Sequence, residues 1–145
     1  MCFVPLAGYT PGSGSPRVRG PVETRKEGTM STSQTKSFNS PDEARTPPLA
    51  KMEIVNFGDM SIVRMTCEPG WKWTEHMRPI AGTDSCQRAH FTYVLSGHFR
   101  TVLDDGTVDD FGPGDIGITP PGHDAWVVGD EPCVLFDFQG ASRNA

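Results

Sequence analysis

The chain has 145 residues, with 13 basic and 18 acidic side chains and a formal net charge of −5 at neutral pH. This length is sufficient for one domain with its own hydrophobic core. The acidic excess lies in residues 51–145, which hold 7 basic and 14 acidic residues. A nucleic-acid partner is therefore disfavoured, because neutralising phosphates requires a basic surface.

The four cysteines, Cys2, Cys67, Cys86 and Cys133, form neither a C-x-x-C motif nor a paired framework. Free thiols are typical of a reducing compartment. No apolar run approaches the roughly 20 residues that a membrane span requires. The N-terminal stretch also lacks the basic and apolar regions of a signal peptide. We therefore predict a cytoplasmic protein without a membrane partner.

Residues 1–35 are rich in Gly, Pro, Ser, Thr and charge, and they are predicted to form a disordered tail, because their apolar side chains are too sparse to offset the entropy of ordering. Met30 begins a segment that resembles an ordinary protein start, and we hypothesise that translation begins there. Residues 36–51 contain three prolines that exclude long helices. They are predicted to be an extended segment packing on the folded domain, residues 52–140, or on a partner subunit.

From Met52 onward, short apolar runs alternate with turn residues, a pattern that favours an all-β sandwich or barrel. Glycine and proline in the turns supply the backbone conformations that hairpins need. No stretch of eleven residues shows a sustained helical stripe. The predicted strands are residues 52–57, 61–68, 71–76, 89–96, 98–104, 108–111, 115–119, 125–129 and 133–139.

Three of the four histidines adjoin turns that feed different strands. His76 ends the stretch 71–76, His90 lies in the strand 89–96, and His123 follows the rigid corner Pro120-Pro121-Gly122. Cys86 precedes His90 by four residues and can share its face of the strand if the chain stays extended. Imidazole and thiolate are ligands that transition metals prefer. A metal site of His76, Cys86, His90 and His123 is therefore predicted.

Each of these positions also has a simpler interpretation. A single histidine on a half-buried strand is more often a hydrogen-bonded core or rim residue than a ligand, and His98 is interpreted in this way. Cys86 can equally be a small buried hydrophobic residue, as is assumed for Cys67 and Cys133. The joint placement of the other three histidines is what favours the metal site.

Two motifs resemble those of the cupin family. Gly70, five residues and His76 match the beginning of the first motif, which is Gly, five residues, His-x-His, three or four residues, Glu, six residues, Gly. His90, six residues and Gly97 match its end, so His90 takes the place of the glutamate and Cys86 that of the second histidine. The stretch MRPIAGTDS then forms an insertion between the two halves.

The second motif is Gly, five residues, Pro-x-Gly, two residues, His. Gly114, Pro120 and Gly122 match its first part. Ala125 occupies the expected histidine position, and His123 lies two residues earlier with the same strand parity. The substituted positions therefore still hold side chains that can bind a metal.

The resemblance covers roughly residues 52–139 and implies a jelly-roll barrel, also called a double-stranded β-helix. It also implies a divalent transition metal, with iron, zinc, manganese, nickel and copper all left open, bound so that some positions stay free for substrate. Cupins of this size commonly pair sheet to sheet, so a homodimer is implied as well.

The implied function is that of a metal-dependent oxygenase or isomerase acting on a small polar or carboxylate-bearing molecule. Arg78 would orient an anionic substrate, and Asp124 would fix the tautomer of a histidine ligand. Both are equally well explained as exposed charges at the rim. The alternatives are a non-catalytic cupin that binds a small ligand as a sensor or carrier, and a dimerisation module using the apolar face of residues 91, 93 and 95.

Overall fold

A computed structural model describes residues 32–138. The predictions for residues 1–31, including Cys2 and the start at Met30, lie outside the described residues, as do those for residues 139 and 140. In chain order the elements are β1 (Glu43–Arg45), β2 (Ala50–Phe57), β3 (Met60–Cys67), α1 (Trp73–His76), α2 (Arg78–Ala81), β4 (His90–Ser96), β5 (Phe99–Leu103), β6 (Val108–Phe111), β7 (Ile116–Thr119), β8 (His123–Val127) and β9 (Cys133–Asp137).

The strands form two antiparallel sheets that face each other. The larger sheet has the order β1-β2-β3-β9-β4-β7, and the smaller has the order β6-β5-β8. Alternate side chains of each strand point into the space between the sheets, as the period of two requires. The predicted all-β jelly-roll class is confirmed. No helix within residues 32–138 is long and apolar enough to cross a bilayer.

Eight of the nine predicted strands are present, and one prediction is wrong. Residues 71–76 were expected to be extended, but Trp73–His76 forms a helical turn in which Met77 N–H donates to the Trp73 carbonyl at 2.8 Å. The Asp124 carboxylate, which comes from β8, accepts hydrogen bonds from the backbone N–H and the hydroxyl of Thr74. This tertiary contact satisfies the first turn of the helix and overrides the alternating sequence pattern.

The segment that precedes the predicted domain contributes a short strand. Glu43–Arg45 pairs with β2 and forms one edge of the larger sheet. Beside it, Glu53 is held between Arg64 at 2.6 Å and Lys51 at 2.7 Å, and its side chain is 7% exposed. Hydrogen bonds from Arg64 and then Lys51 lower the pKa of Glu53 to about 2. Glu53 is therefore ionised in the folded protein, and its ion pairs with Arg64 and Lys51 stabilise the fold.

A cluster of buried side chains fills part of the interior. Cys67 and Cys133 lie opposite each other on β3 and β9, both completely buried and both free thiols. Their interpretation as small buried hydrophobic residues is confirmed. The turn between β4 and β5 is tight: Gly97 has a φ of 74°, and a Cβ on it would lie 2.3 Å from the carbonyl oxygen of Pro132.

Candidate metal centre and cavity

Cys86 is positioned by the start of β8. Its N–H donates to the carbonyl of His123 at 2.8 Å, and its own carbonyl accepts from the N–H of Gly122 at 2.7 Å. This isolated bridge brings a residue from an irregular segment next to the rigid corner that precedes β8. The side chain is 5% exposed and points into the space between the sheets.

His90 is the first residue of β4 and is held at both ring nitrogens. Its Nε2 lies 3.4 Å from Cys86 Sγ, and its Nδ1 lies 2.5 Å from a carboxylate oxygen of Asp137. Because an ionised carboxylate only accepts hydrogen bonds, Nδ1 carries the proton. Asp137 ends β9 and pairs with Thr92 of β4, so the two neighbouring strands bring the acid and the imidazole together.

His123 is the first residue of β8 and is 3% exposed. Its Nδ1 donates to the carbonyl oxygen of Pro120 at 2.7 Å, which fixes the tautomer and leaves Nε2 as the available ligand atom. The rings of His123 and His90 meet edge to face, with their centroids 5.2 Å apart. The Pro120-Pro121-Gly122 corner therefore presents this histidine from the smaller sheet to the larger one.

One ligand atom from each of Cys86, His90 and His123 lies within 4.8 Å of the other two. Sulfur and nitrogen ligands of a tetrahedral ion are about 3.5 Å apart, close to the 3.4 Å between Cys86 and His90. Both imidazoles present Nε2 while Nδ1 is hydrogen-bonded, as is usual for histidine ligands of metals. A thiolate with two imidazoles is also a donor set that suits a divalent transition metal. The residues present fit such an ion.

The charges in this group are coupled. Burial raises the pKa of the Cys86 thiol, but hydrogen bonds from His123, His90 and the N–H of Arg88 outweigh it and lower the pKa to about 6. Burial likewise lowers the pKa of His90, yet Asp137 and Cys86 together raise it to about 9. At neutral pH the group therefore favours a thiolate beside an imidazolium, and that thiolate is ready to bind a metal or an electrophile.

Three residues predicted for the site lie elsewhere. His76 is outside the ligand group, because the turn α1 points its Nδ1 at the backbone N–H of Lys72, 3.0 Å away. Arg78 lies on α2 and pairs with the exposed Asp84 at 2.8 Å, so it faces solvent. Asp124 binds Thr74 instead of a histidine. The common cause is the pair of helical turns α1 and α2, which the sequence pattern did not indicate.

The ligand group forms part of the wall of a cavity of about 420 Å³. Most residues of the wall are apolar. Its solvent-exposed residues are Arg45 and Thr46, which precede β2, and Ile80 of α2. Arg88 also lines the cavity and makes no ion pair among residues 32–138. The remaining apolar wall comes mainly from Met52, Val63, Met65, Trp71, Trp73, Met77, Ile80, Phe99, Ala125 and Leu135.

Sequence reasoning missed Asp137 and Arg88. A signal for Asp137 was present, since it shares strand parity with Cys133 and Leu135 and is thus an acid on a buried face. Buried acids are rare unless they are paired, so such a residue indicates a partner across the sheet. Arg88 lies in an irregular segment, and no periodicity indicates its direction.

No protein-family model matches this sequence, and no curated protein matches it. Solved structures do match the fold. An oxalate decarboxylase variant from Bacillus subtilis is 20% identical with a TM-score of 0.54, covering 76% of this chain and 30% of its own. KdgF from Halomonas sp. is 21% identical with a TM-score of 0.51, covering 70% and 91%.

An RmlC-like cupin from Shewanella frigidimarina is 21% identical with a TM-score of 0.52, covering 75% of this chain and 93% of its own. At these identities the likeness establishes the fold alone. The chain has the cupin fold, as its motifs indicated, and it spans less than a third of the oxalate decarboxylase chain.

Proposed function

We propose that this protein is a metal-dependent cupin enzyme, an oxygenase or isomerase, whose divalent transition metal is held by Cys86, His90 and His123. The observation that carries the proposal is the convergence of these three ligand atoms on one wall of the cavity. Three protein ligands leave coordination positions open, which distinguishes a catalytic from a closed structural site. The thiolate favours zinc, iron or copper over manganese.

The protein's own residues prepare the site in advance. Asp137 holds the His90 ring and increases its basicity, while the Pro120 carbonyl holds the ring of His123. Cys86 supplies a negative charge in a buried position. A bound ion would act as a Lewis acid, or, if redox-active, would bring substrate and dioxygen together. The cavity wall would exclude bulk water from the reacting groups.

We propose a carboxylate-bearing substrate with an apolar body. Arg88 provides a guanidinium without an ion-pair partner among the described residues, and a guanidinium binds carboxylate through two parallel hydrogen bonds. The predominantly apolar wall favours a hydrocarbon or aromatic body. One matching structure is by its name an oxalate decarboxylase, which acts on a carboxylate, and this supports the anionic group.

Elemental analysis of protein purified without an affinity tag tests the proposal. We expect close to one transition-metal ion per chain, and we expect His90→Ala to lose it while keeping the fold. His98→Ala is the matched control because His98 is exposed and outside the ligand group. His76→Ala should also keep its metal. Wild-type protein without metal, after purification in buffers containing trace zinc and iron, would contradict the proposal.

A second candidate function is a non-catalytic cupin that binds a small ligand as a sensor or carrier. The apolar character of the cavity favours it, because most of the wall offers contact area without acid or base groups. The two functions differ in turnover. If the metal-loaded protein binds carboxylates carrying an aryl group but consumes none of them, with or without dioxygen, the carrier function is the better one.

We further propose a homodimer formed through the outer face of β4 and β7. Ile116 and Ile118 are 61% and 70% exposed, and they lie opposite Tyr93 and Phe91 of β4. This apolar face at a sheet edge would be covered by a second copy. Sedimentation analysis of Ile118→Glu should show a monomer, whereas Met60→Glu, at an exposed site on β3, should leave the dimer intact.

The location we propose is the cytoplasm. The three cysteines among residues 32–138 are all free thiols, which a reducing compartment would maintain. Fractionation of cells that produce the protein with its native N-terminus would test this. Recovery in an oxidising compartment would contradict it.

A further inference from the structure

The candidate metal centre contains a thiolate, whereas the cupin motifs supply only histidine and glutamate. One sulfur and two imidazole nitrogens, from Cys86, His90 and His123, lie within 4.8 Å of one another. Two histidines and one cysteine around a single ion are the donor set of copper sites that transfer electrons. For ligands of a given kind, copper also binds more tightly than zinc, iron or the other divalent first-row metals. This donor set therefore favours copper.

The surroundings of Cys86 suit a thiolate that is bound to copper. The redox potential of such a centre is tuned by the hydrophobicity around the sulfur and by the hydrogen bonds that the sulfur accepts. Cys86 is 5% exposed and belongs to the buried apolar cluster of the core. The backbone N–H of Arg88, two residues further along the chain, donates a hydrogen bond to the sulfur. The sulfur is therefore shielded from bulk water, and a backbone dipole stabilises its charge.

Burial also protects the thiolate from oxidation by copper. Copper(II) oxidises accessible thiolates: two thiolates each give one electron to a copper(II) ion, and their sulfurs join in a disulfide. That reaction requires the two sulfurs to approach to about 2 Å. The other cysteines of residues 32–138, Cys67 and Cys133, lie opposite each other on β3 and β9 and are completely buried. This part of the chain thus offers Cys86 no exposed thiol as a partner, and the burial of Cys86 hinders a thiol of another molecule.

We propose that Cys86, His90 and His123 bind copper in a thiolate-ligated centre that gains and loses one electron, between copper(II) and copper(I). This rests on the proposed function and deepens it, because it names the metal and the chemistry that the same site supplies. The side chain of His90 is 24% exposed, whereas Cys86 and His123 are buried. An external one-electron donor, such as ascorbate, therefore approaches the metal most closely at the His90 ring.

Copper(II) sulfate titrated into metal-free full-length protein tests the proposal, with visible absorption and electron paramagnetic resonance as the readouts. A thiolate bound to copper(II) absorbs intensely in the visible range through charge transfer from sulfur to copper, whereas nitrogen and oxygen ligands give only weak colour. Cys86→Ser and His90→Ala each remove one ligand, and circular dichroism establishes that each variant is folded. His98→Ala is the matched control, because His98 is exposed and outside the ligand group.

We expect wild-type protein and His98→Ala to develop an intense visible band that saturates at one copper per chain, fades with ascorbate and returns with ferricyanide. Cys86→Ser should bind copper(II) without this band, and His90→Ala should lose the band at equimolar copper. A colourless copper complex of folded wild-type protein, or retention of the band in Cys86→Ser, would overturn the proposal.

Zinc titrations on the same samples separate this test from that of the proposed function. Stoichiometric zinc binding without a copper band would leave the metal-dependent function standing and overturn the assignment of copper. In an equimolar mixture of the two metals we expect the full copper band, and suppression of the band by zinc would likewise contradict the assignment. Failure to bind either metal would overturn the proposed function as well.

Discussion

Replacing Asp137 by Asn isolates the contribution of the carboxylate behind His90. The substitution keeps the shape of the side chain and removes the negative charge 2.5 Å from the Nδ1 of His90. Against its burial, Asp137 and Cys86 raise the pKa of His90 from 6.5 to about 9, equivalent to roughly 3 kcal/mol of preference for positive charge. If Asp137 supplies about half of this, removing it weakens the attraction of His90 for a positive ion by about 1–2 kcal/mol, or about 10-fold in affinity.

The assay is a zinc titration against a competing chelator at constant ionic strength and at about pH 9.5, above the pKa of His90, so that zinc does not have to displace a proton from the ring. We expect Asp137→Asn to bind zinc about 10- to 100-fold more weakly, the range usual for the loss of such a partner. Asp124→Asn is the matched control, because the Asp124 carboxylate bonds Thr74 of α1 and makes no side-chain bond to Cys86, His90 or His123. Equal zinc affinity in wild type and Asp137→Asn, or a larger loss in Asp124→Asn, would refute the reasoning.

Three further predictions concern stability and thiol reactivity. Glu53 ionises with a pKa of about 2 instead of 4.5, so its stabilisation is complete above about pH 4.5 and is lost as pH falls towards 2. Glu53→Gln should cost about 1–3 kcal/mol in denaturant unfolding at pH 7 and flatten the pH dependence over that interval. Gly97→Ala should lower the free energy of unfolding by about 3 kcal/mol or more, and Gly58→Ala by only about 1 kcal/mol. The reason is that a Cβ at position 97 meets backbone atoms, whereas a Cβ at position 58 meets nothing within 4 Å. Iodoacetamide at pH 7 should modify Cys86 in metal-free protein, and the rate of modification should fall below about pH 6. Mass spectrometry should find Cys67 unmodified, because burial raises the pKa of its thiol.

Each of these predictions would be contradicted by a specific result. An unchanged acid-unfolding profile in Glu53→Gln would mean that the ion pair adds no net stability. Equal costs at positions 97 and 58 would mean that the turn after β4 relaxes easily. Zinc should protect Cys86 from alkylation, and modification at the same rate with and without zinc would contradict its role as a ligand.

The strands were predictable because their alternation is local. His90 and Thr92 face inward on β4, as the period of two required. β8 begins at His123, two residues earlier than the predicted start at residue 125. The proximity of Cys86 to His123 has a different origin, since it depends on a bridge between distant parts of the chain.

The errors have a single physical source. Alternation of aromatic and polar residues from Trp71 to His76 is compatible with a strand, whereas the contact between Thr74 and Asp124 favours the helical turn. The two residues are 50 positions apart in the chain, so no local pattern reveals the contact. The same turn removes His76 from the ligand group and moves Arg78 into solvent.

The short strand β1 and the residues after it form part of the cavity wall, through Arg45, Thr46 and Pro47. These residues belong to a sheet edge and a loop, where replacements disturb packing least. The histidine ligands His90 and His123, in contrast, are the first residues of β4 and β8 in the two sheets. Relatives can therefore differ in the size of ligand that they accept through changes at residues 45–47, while the chemistry of the side chains on the inner strands stays the same.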